Sequence, residues 1–168
     1  MKPKFGSSRQ VAFLQKMPTD SVEATDLVSR SKFNFSYLDL TQPQSSPAMS
    51  SIDGAFLQSL FEKLKSYSRS PLDFWLKERV GGGRKGARVQ HVFEVYKNFP
   101  KKTSFEHPKH VPHDVWWARF RVEGAVRLAG FVVPAELHGK LCAEKKFSFC
   151  SNTFYVVFID LDHKFYIQ

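Results

Sequence analysis

The stretch from residue 115 to residue 133 reads VWWARFRVEGAVRLAGFVV. Apolar side chains alternate with others along both of its halves, with Glu123-Gly124-Ala125 between them, a pattern typical of two antiparallel strands joined by a tight turn. Matching apolar side chains across the two strands sets Val122 opposite Val126. A shift of one residue would place Arg127 against apolar side chains, so the pattern predicts this register.

The predicted register puts three arginines on one face of the hairpin. Arg121 lies opposite Arg127, and Arg119 lies opposite Ala129. We expect that face to be exposed. Like charges this close repel each other, so the arginines cost stability unless a polyanion or nearby carboxylates offset them. The candidate carboxylates are Glu123, Asp160 and Asp162.

An amphipathic helix is predicted before the hairpin. Apolar residues recur at spacings of three and four between Phe56 and Tyr67, and Asp53 or Ser51 is the expected N-cap. We interpret the apolar stripe as core packing; it consists of Phe56, Leu57, Leu60, Phe61, Leu64 and Tyr67.

A second, shorter helix follows the first. Ser70 is the predicted N-cap, Pro71 stands at the first helical position, and Asp73 occupies the capping-box position usually held by Glu. The apolar side of this helix would consist of Leu72, Trp75 and Leu76.

Three further segments have strand patterns. Residues 33–38 and 89–96 alternate, the second imperfectly, whereas residues 152–162 are apolar on both faces and predict an interior strand. Together with the helices, these segments predict an α+β fold in which a small, antiparallel-rich sheet packs against a helical hairpin.

The chain is expected to form one compact domain. Residues 1–31 lack clear periodicity and are interpreted as an N-terminal arm or extension, and residues 42–51 form a linker rich in Pro and Ser. We assign residues 32–168 to a single compact α+β domain that contains a basic loop insertion at 81–114.

Positive charge is both large and clustered. The formal net charge is +9. The segment from Lys77 to His113 contains nine Lys and Arg residues but three acids, so six of the nine net charges lie there. This distribution favours nucleic acid or another polyanion as a partner.

A glycine-rich loop, VGGGRKGARV at 80–89, lies inside that segment. Gly81 and Gly86 have the spacing of a nucleotide-binding P-loop, but Ala87 and Arg88 stand where Lys and Ser or Thr are needed. We therefore interpret the loop as a mobile clamp for the phosphates of nucleic acid. The predicted nucleic-acid-binding residues are Arg84, Lys85, Arg88, Lys101, Lys102 and Lys109.

Three histidines have a spacing that invites a zinc site. His107, His110 and His113 lie three residues apart, but Pro108 and Pro112 favour an extended chain. Residues three apart in such a chain are separated by about 9 Å, whereas Zn–N bonds measure about 2.0–2.1 Å. We expect no metal site and no cofactor.

The sequence also bears on location. The longest apolar run near the start, Val11 to Leu14, is shorter than the roughly 7–15 residues of a signal-peptide core. No run approaches the roughly 18 residues of a membrane span. We expect a cytoplasmic protein without a membrane partner, in which Cys142 and Cys150 are reduced.

The order of strand, two helices and three closely spaced strands resembles the RelE/ParE superfamily of bacterial toxins. WARFRVEGAVRLAGFV at 117–132 is similar to that family's arginine-bearing hairpin, and NTFYVVFIDLDHKFY at 152–166 resembles its last strand and tail. The resemblance covers residues 32–40, 53–79 and 115–168. It implies a RelE-like fold and a metal-independent endoribonuclease that acts on messenger RNA at or near the ribosome and is neutralised by an antitoxin protein.

The same resemblance implies a catalytic set. Arg119, Arg121 and Arg127 would stabilise the charge that builds up on phosphate, a role for which the guanidinium fork is suited. His163 would act as acid or base, and Tyr166 would donate a proton or stack on a base.

Two other readings remain open. The chain could be a non-enzymatic module of a mobile element or defence system that binds nucleic acid or an acidic protein. It could also resemble the ParE branch, which acts on gyrase, in which case DNA damage rather than RNA loss would follow expression.

Overall fold

The computed structural model describes residues 7–18, 20–43, 50, 52–81, 89–142, 144 and 146–167. The helices are α1 (Ser8–Leu14), α2 (Gly54–Tyr67) and α3 (Leu72–Lys77), and a 3₁₀ turn spans Ala135–Leu137. The strands are β1 (Lys32–Asn34), β2 (Phe93–Lys97), β3 (Trp116–Arg121), β4 (Arg127–Val132) and β5 (Thr153–Asp160). They form one sheet in the order β1-β5-β4-β3-β2, in which β1 and β5 run parallel and the other neighbours antiparallel. The predicted α+β class with an antiparallel-rich sheet is confirmed.

The hairpin of β3 and β4 has the predicted register. Arg121 pairs with Arg127, and the Val122 amide donates to the Val126 carbonyl at 3.1 Å. Gly124 sits in the turn with a φ of 47°, a conformation that glycine adopts without strain. As predicted, β5 is an interior strand, with seven of its eight residues buried.

Helix α2 covers one face of the sheet. Asp53, one of the two predicted caps, is its N-cap, and its side chain accepts a hydrogen bond from the Phe56 amide at 2.7 Å. The buried residues of the helix are Leu60, Leu64 and Tyr67. Leu57 and Phe61 are 42% and 64% exposed, so the prediction that the whole stripe lies in the core is wrong for these two residues. The apolar stripe is wider than the face that the sheet covers.

Helix α3 begins differently from the prediction. Pro71 occupies the N-cap position without a side-chain cap, and Asp73 forms an ion pair at 3.2 Å with the lysine one turn later. The Leu72 amide instead donates to the Asn152 side chain at 2.8 Å. The predicted Ser70 cap is therefore wrong, because a residue distant in the sequence fills that role.

The strand predicted at 33–38 is short. Asn34 ends β1, and its side-chain oxygen accepts a hydrogen bond from the Ser36 amide at 2.8 Å, a local turn that interrupts the strand. Before β1, helix α1 buries none of its residues. No helix in the described ranges is long and apolar enough to cross a membrane.

The second face of the sheet is covered as well. Phe105 and Val111, from the segment between β2 and β3, and Phe165, from the C-terminal tail, pack there with Trp117 and Phe158. The sheet is therefore enclosed on both faces, by helices on one and by irregular segments rich in aromatic residues on the other.

Candidate functional site

A row of three charged residues crosses the second face of the sheet. Arg121 of β3 pairs with Arg127 of β4, and Arg127 pairs in turn with Asp160 of β5. In the adjacent row, Arg119 of β3 stands beside Ala129 of β4. Side chains at paired positions share a face, and diagonal neighbours lie about 7–8 Å apart, so the three arginines form one cluster.

Arg119 is anchored through two of its three nitrogens. Its Nε donates to the Tyr96 hydroxyl at 2.5 Å, and its Nη2 pairs with Glu94 Oε2 at 3.1 Å. Its Nη1 is buried without a hydrogen-bond partner among the described residues, and the side chain is 7% exposed. The guanidinium therefore has a fixed position and an unused donor.

Arg127 has an unused donor too. Its Nη1 donates to the carbonyls of Gly124 and Val126, each at 2.8 Å, whereas its Nε is buried without a partner in the described part of the chain. Burial, followed by the charges of Arg119 and Arg121, lowers the pKa of Arg127 to about 10. The free chain thus holds this positive charge in an unfavourable environment.

Asp160 offsets this charge only in part, because it has another structural role. Its carboxylate accepts hydrogen bonds from the amides of Asp162, Lys164 and Phe165 at 3.3, 2.9 and 2.8 Å. These bonds turn the chain at the end of β5, where the tail that carries Tyr166 begins.

His163 lies in that turn. Its φ of 58° is left-handed, which is uncommon for a residue other than glycine. Burial lowers its pKa below the usual value, and the charges of Arg127 and Arg119 lower it further, whereas Asp160 raises it. His163 lies three residues after Asp160, the β5 partner of Arg127, and its lowered pKa favours the neutral imidazole at pH 7.

Tyr166 completes the tail. Its ring stacks on Tyr96, with centroids 4.5 Å apart and planes 3° from parallel. The next residue, Ile167, donates its amide to the Lys102 carbonyl at 3.1 Å. The tail is therefore fixed between β2 and the loop that carries Lys101. We use the name arginine site for this group: Arg119, Arg121, Arg127, His163, Tyr96 and Tyr166.

The glycine-rich loop begins and ends beside the arginine site. The Val80 amide donates to the Gln90 carbonyl at 2.9 Å, and Arg121 Nη1 donates to the Gln90 side chain at 2.5 Å. The predicted clamp residues Arg84, Lys85 and Arg88 lie outside the described residues.

The predicted exposure of the arginine face is wrong. Arg119 and Arg127 are only 6% and 5% exposed, and Arg121 is half-buried. The sequence pattern of one hairpin cannot reveal that a loop and the tail fold over it. The tail nevertheless reaches the arginine face, because Tyr166 stacks on Tyr96, whose hydroxyl binds Arg119. His163 follows Asp160, the strand partner of Arg127, by three residues.

Lys109 lies elsewhere. The neighbouring His110 stacks on Tyr37, which packs in turn on Phe131 and Tyr155. Phe131 is four residues along β4 from Arg127, a distance of about 13 Å. Lys109 is thus separated from the site that Lys101 and Lys102 adjoin.

The three histidines of the 107–113 segment do not converge. His107 packs on Phe99 and Trp117, whereas His110 contacts Tyr37 and His113 is exposed. Among the described residues, no group of three His, Cys, Asp or Glu side chains is arranged to hold a metal ion. Cys142 and Cys150 are unpaired thiols.

Sequence reasoning anticipated Asp160 as a carboxylate beside the arginines but missed three residues that shape the site. They are Gln90, Glu94 and Tyr96. Glu94 and Tyr96 alternate along the predicted strand at 89–96, so their shared face was available as a signal. The sequence does not show that these residues lie at Arg119, because the long segment between β2 and β3 does not determine how the two strands pair.

Comparison with protein-family models, with curated proteins and with solved structures found no match. Functional argument therefore depends on the chemistry of the arginine site.

Proposed function

We propose that this chain is a toxin-like RNA-binding protein with a RelE-like fold, which cleaves RNA without a metal ion as part of a toxin–antitoxin or defence system. The observation that carries the proposal is the pair of buried guanidinium groups, Arg119 and Arg127, each with a donor that no described acceptor takes. A buried donor left unpaired costs about 1–3 kcal/mol. A phosphate would satisfy both donors, and its charge would offset the repulsion among the arginines.

The groups around that phosphate suit transesterification. Neutral His163 would take the proton of the ribose 2′-OH, whose oxygen then bonds to phosphorus. The bond from phosphorus to the 5′-oxygen breaks. The phenol of Tyr166 would donate a proton to the departing oxygen. Arg119 and Arg127 would stabilise the charge on the phosphate oxygens. The products are a 2′,3′-cyclic phosphate and a 5′-hydroxyl.

Lys101 and Lys102 support an RNA path beside the tail, since Lys102 is hydrogen-bonded to the residue after Tyr166. Such contacts with the backbone position a strand without reading its sequence. The proposal places the activity in the cytoplasm, on messenger RNA at or near the ribosome, with an antitoxin protein as partner.

The test uses purified protein and a labelled single-stranded RNA in EDTA. We expect a ladder of fragments with 2′,3′-cyclic phosphate ends, and no cleavage of the same RNA when it is 2′-O-methylated. Arg127→Ala and His163→Ala should abolish cleavage, whereas Lys109→Ala, which changes a cation outside the site, should not. Equal cleavage by all variants would contradict the assignment of the site.

Induced expression in bacteria provides a second test. Growth arrest with rapid loss of messenger RNA, relieved by Arg127→Ala or His163→Ala, would support the proposal. RNA binding without cleavage in either assay would favour the non-enzymatic module, for which binding should lose affinity as salt rises. DNA damage with intact RNA would favour the action on gyrase.

A further inference from the structure

We infer that Tyr96 is a further residue of the arginine site and donates its hydroxyl proton to a phosphate oxygen bound there. This inference depends on the proposed function, because it assumes that Arg119 and Arg127 hold a phosphate. The hydroxyl would then contact the anion from the Nε edge of Arg119, to which it is hydrogen-bonded.

An irregularity in β2 accompanies Tyr96 at the site. The pairing of β2 with β3 shifts between Val95 and Lys97, which makes a bulge at Tyr96. Lys97 adopts a φ of 66°, an uncommon backbone conformation for a residue with a side chain. Bulges and such strained residues concentrate at functional sites, where they aim a side chain.

The hydroxyl proton of Tyr96 has only a distant acceptor among the described residues. Arg119 Nε donates to the oxygen at 2.5 Å, so this contact uses a lone pair and not the proton. The described acceptor for the proton is Glu94 Oε2 at 3.5 Å, which is long for an O–H···O hydrogen bond. The same Glu94 oxygen already accepts from Arg119 at 3.1 Å.

The ring itself cannot move far. Tyr166 stacks on it at a centroid distance of 4.5 Å, and Arg119 fixes the position of the hydroxyl. Burial raises the pKa of Tyr96 to about 12, so the phenol keeps its proton at pH 7. A fixed, neutral donor beside two guanidinium groups therefore suits an anion, because it adds a hydrogen bond without adding charge.

A structural role is the competing explanation. Tyr96 could serve only to hold Arg119 in place, together with Glu94. Both roles predict weaker anion binding when the Tyr96 hydroxyl is removed, but they predict different results when Glu94 is changed. If anchoring is what matters, loss of the Glu94 charge should weaken anion binding. If Tyr96 contacts the anion, loss of that negative charge should leave anion binding unchanged or strengthen it.

The experiment measures the affinity of the full chain for inorganic phosphate at pH 7 by titration calorimetry, with chloride added to hold the ionic strength constant. Tyr96→Phe should lower the affinity about tenfold, which corresponds to about 1.4 kcal/mol. Glu94→Gln should equal or exceed wild type. Tyr155→Phe is the matched control, because it removes the same atom from a tyrosine near Phe131, away from the arginines. It should bind like wild type.

A second measurement needs no change at Tyr96. In the wild-type chain labelled with 3-fluorotyrosine, phosphate should shift the fluorine signal of Tyr96 more than that of Tyr155. Wild-type affinity for phosphate in Tyr96→Phe, or an unmoved Tyr96 signal while wild type binds phosphate, would overturn the inference. If wild type bound no phosphate at all, the proposed function itself would fail, which separates the two outcomes.

Discussion

Arg121 and Arg127 lie directly opposite each other across the β3–β4 hairpin, although both carry positive charge and Arg127 is buried. Burial, with the charges of Arg119 and Arg121, lowers the pKa of Arg127 to about 10. Like charges in opposed positions destabilise a sheet. A bound anion would remove part of that cost, so anion binding and fold stability should be linked.

The first prediction concerns this linkage. Sulfate should raise the unfolding midpoint relative to chloride at equal ionic strength. A ligand at one hundred times its Kd adds about 2.7 kcal/mol, and each kcal/mol shifts the midpoint by about 2–4 °C in a chain of this size. Arg127→Gln keeps donors for the turn carbonyls but has no charge, so it should lose most of this gain. An equal gain in the variant would show that sulfate acts elsewhere.

The second prediction concerns His163. Burial and then the charges of Arg127 and Arg119 lower its pKa, against the opposite effect of Asp160. The unfolded chain, with a histidine pKa near 6.5, then binds more protons than the folded chain. The stability contributed by neutral His163 is therefore complete above about pH 6.5 and is lost as pH falls through that value towards the folded pKa. Histidine NMR titration should give His163 a pKa below 6.5.

Bound sulfate should reverse the shift at His163, because an anion nearby favours imidazolium. Sulfate does not titrate in this range, so its affinity should rise as pH falls from 7 to 5, and His163→Asn should flatten that dependence. A pH-independent affinity in wild type would mean that His163 does not face the anion.

The third prediction tests the packing of β4 on β5. A Cβ at Gly130 would overlap the Tyr155 carbonyl oxygen and lie 3.0 Å from the Phe154 ring. Gly130→Ala should therefore destabilise the fold by about 3 kcal/mol or more, since backbone atoms of an interior strand cannot move away. Gly54→Ala is the control. Nothing lies within 4 Å of that position at the start of α2, so alanine should be neutral or stabilise by up to about 1 kcal/mol in urea unfolding.

The fold could be predicted where the pattern is local. The hairpin register follows from apolar side chains around Gly124, and the α2 cap follows from Asp53, because both depend on residues close in sequence. The exposure of Arg119 could not be predicted in this way. It depends on Tyr96, whose hydroxyl binds Arg119, and on Tyr166, which stacks on Tyr96 from a tail without periodicity.

Of the residues at the arginine site, the sequence predicts those of β3, β4 and the C-terminal tail but not those of β2. Arg119, Arg127 and His163 stand out by residue type and by their place after or within apolar strands. Glu94 and Tyr96 contact Arg119 only because β2 pairs with β3 in one register. The long segment between these strands carries no local signal for that register, so physical reasoning on the sequence could not supply it.

The fourth prediction concerns Asn152, which links three segments. Its side-chain oxygen accepts from the Leu72 amide at 2.8 Å, and its side-chain nitrogen donates to the carbonyls of Ser29 and Arg30 at 2.8 and 3.1 Å. Asn152→Ala should cost about 2–3 kcal/mol in urea unfolding, because it removes three hydrogen bonds at about 1 kcal/mol each.

Asn152→Asp separates these contacts. The carboxylate still accepts from the Leu72 amide but cannot donate to Ser29 or Arg30. Limited proteolysis should therefore cut residues 20–31 faster in this variant, while α3 stays protected. Equal rates in wild type and variant would mean that other contacts hold the arm.

The fifth prediction concerns the path of RNA. Lys101 and Lys102 adjoin the tail, where the Ile167 amide binds the Lys102 carbonyl, whereas Lys109 belongs to a segment that contacts Tyr37 at the far end of β4. For single strands, each phosphate contact contributes about 0.7 to the slope of log affinity against log salt. Replacing both Lys101 and Lys102 with alanine should make that slope shallower by about 1.4 and weaken binding across RNA sequences alike. Lys109→Ala should leave slope and affinity unchanged in a filter-binding or fluorescence titration. A larger effect from Lys109 than from the pair would place the RNA across the opposite end of the sheet, away from Arg127.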